Sequence, residues 1–114
     1  MNFIIQKSKS HTCIRVTNEK LDTLIASELK TVLVELVEKV EINLLVDLSA
    51  CQTCDTSGLS ALLLGHRLTK QAEGRFILCG LSLPILEVIH LGEFDSFLEI
   101  TEDRKEAIAR FAQY

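Results

Sequence analysis

A chain of 114 residues, 47% hydrophobic and 25% charged, is long enough for one globular domain with a real core and too short for two. Its net charge of −4 with no basic cluster argues against a nucleic-acid partner, and no apolar run reaches the ~20 residues needed to cross a bilayer. The opening residues, MNFIIQKSKS, do not read as a secretion signal, so the expected location is the cytoplasm, where cysteines remain reduced.

Taken in order, residues 3–7 (FIIQK) and 12–17 (TCIRVT) read as two strands joined through a hairpin loop at 8–11. Asp22 or Thr23 is placed to cap a helix, whose apolar face is spelled by Ile25, Leu29, Val32, Leu33, Leu36, Val37 and Val40 at spacings of three and four. Residues 42–48 follow as an unbroken apolar strand ending in Asp47-Leu48, the pattern of a strand buried on both faces. A second helix is expected from about Ser57 to Ala72, with Gly74 as its left-handed stop. Residues 75–79 form another apolar strand. Ser82 caps a third helix that carries Pro84 in its first turn and ends at Gly92. A last strand at 97–100 leads to a terminal helix over 102–112, with Glu102 and Asp103 in its first turn and Ala107, Ile108 and Phe111 buried.

The order β-β-α-β-α-β-α-β-α predicts a single α/β domain over residues 1–114. Its sheet is mixed, an initial hairpin followed by parallel βα units, and about four helices cover it. Such sheets place functional groups where a strand's loop turns into the next helix, because unpaired backbone N–H groups point outward there. Here that junction holds Asp55-Thr56-Ser57-Gly58. On spacing alone, Ser57 could equally be an ordinary helix cap.

Asp47-Leu48-Ser49, a short loop, Asp55-Thr56-Ser57-Gly58-Leu59, a Leu/Ala helix, Gly74-Arg75, and an apolar strand ending Cys79-Gly80-Leu81-Ser82 together resemble the STAS domain. This is the domain of anti-sigma-factor antagonists and of sulphate-transporter tails. The resemblance runs from the first hairpin to the last helix, and its motif region is the specific part. It implies a non-enzymatic antagonist in a partner-switching pathway, binding a serine kinase that is also an anti-sigma factor. Carried over by position, Ser57 is the phosphorylated residue, and Asp22, Asp55, Thr56, Ser57 and Gly58 form the partner-binding surface. Gly58 would let a partner's backbone approach closely. Two departures from the family pattern stand out: Thr56 replaces a serine, and residues 17–20 lack the usual glycine.

The same resemblance allows an alternative, an accessory subunit on the ATPase of a lipid-transporting ABC system. A reading from a different class is a thiol redox or metal protein built on Cys51-Gln52-Thr53-Cys54. A redox pair wants its first cysteine at a helix start, and zinc wants four ligands, whereas His11, His66 and His90 are scattered. The two thiols are therefore expected to pack inward, with no cofactor and no metal. No catalytic constellation is apparent.

Overall fold

The computed structural model describes residues 2–112 and, among them, seven strands and four α-helices. The hairpin is β1 (Phe3–Lys7) and β2 (Thr12–Val16), closed by the Ser8 N–H donating to the His11 carbonyl at 2.9 Å. A two-residue strand, β3 (Lys20–Leu21), leads into α1 (Thr23–Glu38), which returns the chain to β4 (Asn43–Asp47). Another short strand, β5 (Thr53–Cys54), leads into α2 (Thr56–Gln71). Then follow β6 (Arg75–Cys79), α3 (Leu83–Leu91), a 3₁₀ turn (Phe94–Ser96), β7 (Glu99–Thr101) and α4 (Arg104–Phe111).

Five strands make one mixed sheet in the order β1-β2-β4-β6-β7, antiparallel at the hairpin and parallel thereafter. Alternation along each strand divides its side chains between two faces. Ile14, Val16, Leu44, Val46, Phe76 and Leu78 meet Ile25, Leu29 and Leu33 of α1, Leu59 and Leu62 of α2, and Ile85 and Ile89 of α3 in the main core. Cys13, Leu45, Ile77 and Cys79 point the other way and meet Ala107 and Phe111 of α4. Cover on both faces is why β4 and β6 read as continuous apolar runs. Each fully buried Leu or Ile contributes about 1.5–3 kcal/mol.

The α4 side is also held by charge. Arg75 donates to both oxygens of Glu99 at 2.8 and 2.6 Å and to the Arg110 carbonyl at 2.8 Å, while Arg110 reaches the same carboxylate at 3.1 Å. Burial alone would raise the Glu99 carboxyl, but the hydrogen bonds from the two arginines leave it below its usual value. On the same side the His11 ring stacks on Phe111, 5.0 Å between centroids and 8° from parallel, with Nδ1 2.9 Å from the Ser10 hydroxyl.

Four expectations need correction. The first helix ends at Glu38, and Val40, expected on its apolar face, is 75% exposed, because the backbone has already turned out of the helix with a φ of 65° there. The left-handed residue after α2 is Glu73 (φ 62°); Gly74 instead makes room, since a Cβ on it would lie 2.7 Å from the Ile42 carbonyl carbon. The last strand is Glu99–Thr101, and the 3₁₀ turn before it leaves Phe97 half-exposed. Asp103 stands outside α4 as its cap, accepting from the Glu106 N–H at 2.9 Å, and Ile108 is exposed.

Two stability measurements follow from this packing. A β-branched residue in the left-handed region is strained, and Val40 is exposed and bound to nothing that glycine would lose. Val40→Gly should stabilise the domain by up to about 1 kcal/mol, read as a higher midpoint in thermal or urea unfolding. His11 is held below its ordinary value of 6.5 by burial first and by Arg104 second. The fold therefore favours its neutral form: that contribution is complete above about pH 6.5 and is lost as pH falls below it. His11→Asn should flatten the decline of melting temperature between pH 7 and pH 5 relative to wild type.

Candidate functional site

The short strands β3 and β5 pair with each other, parallel, with Lys20 opposite Thr53 and Leu21 opposite Cys54. The residue after each is the cap of a helix, so the pairing sets the starts of α1 and α2 side by side. Asp22 caps α1, its Oδ1 accepting from the Ile25 N–H at 3.2 Å, and Asp55 caps α2, its Oδ1 accepting from the Gly58 N–H at 2.9 Å. Their backbones match as well, extended at φ −98° and −94°. The Asp55 N–H closes the link by donating to the Leu21 carbonyl at 3.4 Å.

Ser57 is thus inside α2, in its first turn, and is not the cap; the helix starts one residue earlier than its sequence suggested. Its hydroxyl lies 3.2 Å from the hydroxyl of Thr23, the first residue of α1. Ser57 is half-buried, while Asp22, Thr23, Asp55 and Thr56 are exposed around it. The start of α3 joins this end of the molecule: Ser82 donates to the Gln52 carbonyl at 2.8 Å and caps its own helix at the Ile85 N–H.

Gly58 is buried. A Cβ there would collide with the Leu21 carbonyl oxygen and lie 2.7 Å from the Cys54 sulfur. Its missing side chain serves the close approach of α2 to β3, within the domain, and not the approach of a partner. Behind the site, Asp47 ends β4 by accepting from the Ser49 N–H at 2.9 Å, which starts the turn into the loop.

The loop thiols do face inward: Cys51 is 2% exposed and Cys54 is half-buried. Burial first, then the Asp47 carboxylate, pushes Cys51 up to about 11; burial, Asp55 and Cys51 push Cys54 up to about 12. Cys54 stands immediately before the α2 cap, yet its thiol is held protonated, the reverse of what a redox thiolate requires. Among the described residues no group of three or more His, Cys, Asp or Glu is placed to hold a metal ion. His66 lies on α2 against Phe97, 5.2 Å between ring centroids, and His90 pairs with Asp95 at 2.9 Å; neither reaches Ser57.

Comparison with known proteins decides the family: the STAS domain model matches residues 2–107. The chain belongs to the STAS domain family. BtrV of Bordetella bronchiseptica, named as a candidate anti-sigma factor antagonist, is 29% identical over 86 residues, which cover 75% of this chain and 74% of BtrV. A crystal structure of a candidate antagonist from Thermotoga maritima superposes with a TM-score of 0.87 at 18% identity, over 97% of this chain and 95% of that one. The anti-sigma factor antagonist SpoIIAA in its unphosphorylated form gives 0.79 at 18% identity, over 98% and 99% of the two chains. SpoIIAA of Bacillus is also known in a phosphorylated form, which gives 0.75 over 95% and 97%. At these identities the structures establish a shared STAS fold. No described helix is long and apolar enough to cross a membrane.

The site therefore gathers four residues read from sequence, Asp22, Asp55, Thr56 and Ser57, and shows Gly58 acting from beneath. Sequence reading missed the Thr23–Ser57 contact. The two residues are 34 positions apart, and only the pairing of β3 with β5, each too short to show periodicity, brings them together. Gly58→Ala should cost about 1–3 kcal/mol in chemical denaturation, because the added methyl meets backbone that cannot yield without parting the two helix starts.

Proposed function

We propose that this STAS domain is an anti-sigma-factor antagonist of the partner-switching type, controlled by phosphorylation of Ser57. Unphosphorylated, it binds a serine kinase that is also an anti-sigma factor, and so frees a sigma factor; phosphorylated, it lets go. The observation that carries this reading is the division of labour at the start of α2. Asp55 does the capping, so the Ser57 hydroxyl is not needed to hold the helix together, and it sits at the rim of an exposed surface. Antagonist names among the relatives support this reading over the transporter-subunit alternative, which would use the same surface.

Phosphate on Ser57 adds roughly −1.5 to −2 charges at neutral pH. In a helix's first turn that charge is favoured by about 0.3–1 kcal/mol, so the fold tolerates it. Inside an interface a charge left buried and unpaired costs ~2–5 kcal/mol. The interface cost is the larger, and the partner is released while the domain stays folded. Asp22 and Asp55, both exposed beside the hydroxyl, add like charge to the same surface.

The test starts with partner capture from the native cell on immobilised wild-type protein. Ser57→Asp should then melt close to wild type yet bind that partner at least about tenfold more weakly, with Ser57→Ala binding as wild type does. Titration calorimetry reports the affinity and thermal unfolding reports the fold. Equal binding by wild type, Ser57→Asp and enzymatically phosphorylated protein would remove Ser57 as the switch.

A further inference from the structure

We infer that Thr23 is the positioning residue for phosphorylation of Ser57; this rests on the reading of Ser57 as phosphoacceptor and adds the group that aims it. The two hydroxyl oxygens are 3.2 Å apart, at hydrogen-bond distance, and they belong to different helices. A serine in the first turn of a helix otherwise samples more than one staggered χ1, and only one direction of its oxygen can meet an incoming phosphoryl group. Thr23 restricts that choice. The backbone that carries it is fixed independently of Ser57, because Asp22 caps α1 at the Ile25 N–H and the Ala26 N–H donates to the Asp22 carbonyl at 2.7 Å.

The oxygen of Ser57 has two lone pairs and one proton to distribute. In the productive arrangement Thr23 donates its proton to one lone pair. The second lone pair then faces the γ-phosphorus of the kinase's ATP, and the serine proton faces a base on the kinase. As the Oγ–P bond forms, the bond from the γ-phosphorus to the bridging oxygen breaks, ADP leaves, and the serine proton passes to that base. Thr23 exchanges no atom in this step. It holds the nucleophile in line.

The position also accounts for a choice at the start of α1. Asp22 already supplies the cap, so helix stability asks nothing of a hydroxyl at residue 23. Valine there has nearly the same shape and removes only the O–H. Serine keeps the O–H and removes the methyl.

The experiment has two arms, run on wild type, Thr23→Val and Thr23→Ser. In the first, NMR couplings between the α and β protons of Ser57 report its χ1 directly. Wild type and Thr23→Ser should show one dominant rotamer, and Thr23→Val an average of several. In the second, each protein is titrated into a fixed amount of cleared extract of the producing cells with γ-labelled ATP, and Ser57 phosphopeptide is quantified. Thr23→Val should lower the maximal rate on the order of tenfold, with the apparent KM within about twofold of wild type. Thr23→Ser should restore the maximal rate. That split, with rescue by the conservative variant, separates aiming from a loss of fold, which would alter KM and the NMR spectrum throughout. Unchanged Ser57 couplings in Thr23→Val, or an unchanged maximal rate with Ser57 still labelled, would overturn the role of Thr23 alone. Absence of phosphate on Ser57 in wild type would overturn the phosphoacceptor reading and Thr23's role with it.

Discussion

The pairing of Lys20–Leu21 with Thr53–Cys54 is the constraint on which the functional end of this domain depends. It is two residues long and contributes little area, yet it fixes the register of two sixteen-residue helices at their starts. Because Asp22 and Asp55 each follow directly, one parallel pairing aligns two caps, and the caps in turn align the hydroxyls of Thr23 and Ser57. Gly58 completes the arrangement by letting α2 lie against the Leu21 carbonyl. Capping falls to Asp55 and leaves the Ser57 hydroxyl free of that task, so a charge added at Ser57 would not unmake the helix that presents it.

The rest of the fold makes that end rigid. Three helices share the main core on one face of the sheet, and α1 and α2 are held along their length by Ile25, Leu29, Leu33, Leu59 and Leu62. The opposite face has a thinner cover, a single helix set on Cys13, Leu45, Ile77 and Cys79. There the Arg75–Glu99–Arg110 cluster ties β6, β7 and α4 together and makes up in directed hydrogen bonds what the small cluster lacks in area. The helix that carries the site, α2, packs directly on β6, but Ser57 lies in its first turn and Arg75 follows its last, so the length of a sixteen-residue helix separates a charge at one from the other.

Much of this was legible in the residues. The unbroken runs at 44–46 and 76–78 mark strands buried on both faces, and the spacing of Ile25, Leu29 and Leu33 marks the inward face of α1. What escaped has physical reasons. A two-residue strand has no period to read, so β3 and β5 were invisible, and with them the contact between α1 and α2 starts. Asp55 and Ser57 are both good capping residues, and choosing between them needs the backbone angle at Asp55, which sequence does not carry. Three helices are followed by non-glycine residues in the left-handed region, Val40, Glu73 and Glu93; after α2 the rule that glycine marks the turn pointed to Gly74 instead of Glu73, and after α1, where no glycine stands, apolar spacing ran on to Val40. Gly58 looked like an opening for a partner because a glycine beside an exposed serine is the same letter whether it faces out or in.

The joining of β3 to β5 also bears on when the site comes into being. Helices propagate within microseconds from local contacts, whereas a pairing that bridges the whole of α1 and β4 waits on closure of a long loop and on the central strands. During synthesis all of α1 is made before Ser57 has been joined to the chain. An unfinished or misfolded molecule thus carries the serine without the neighbouring threonine in place. Under the proposed role of Ser57, a kinase that reads the paired hydroxyls would meet them only on folded protein, and its mark would count folded copies and ignore the rest.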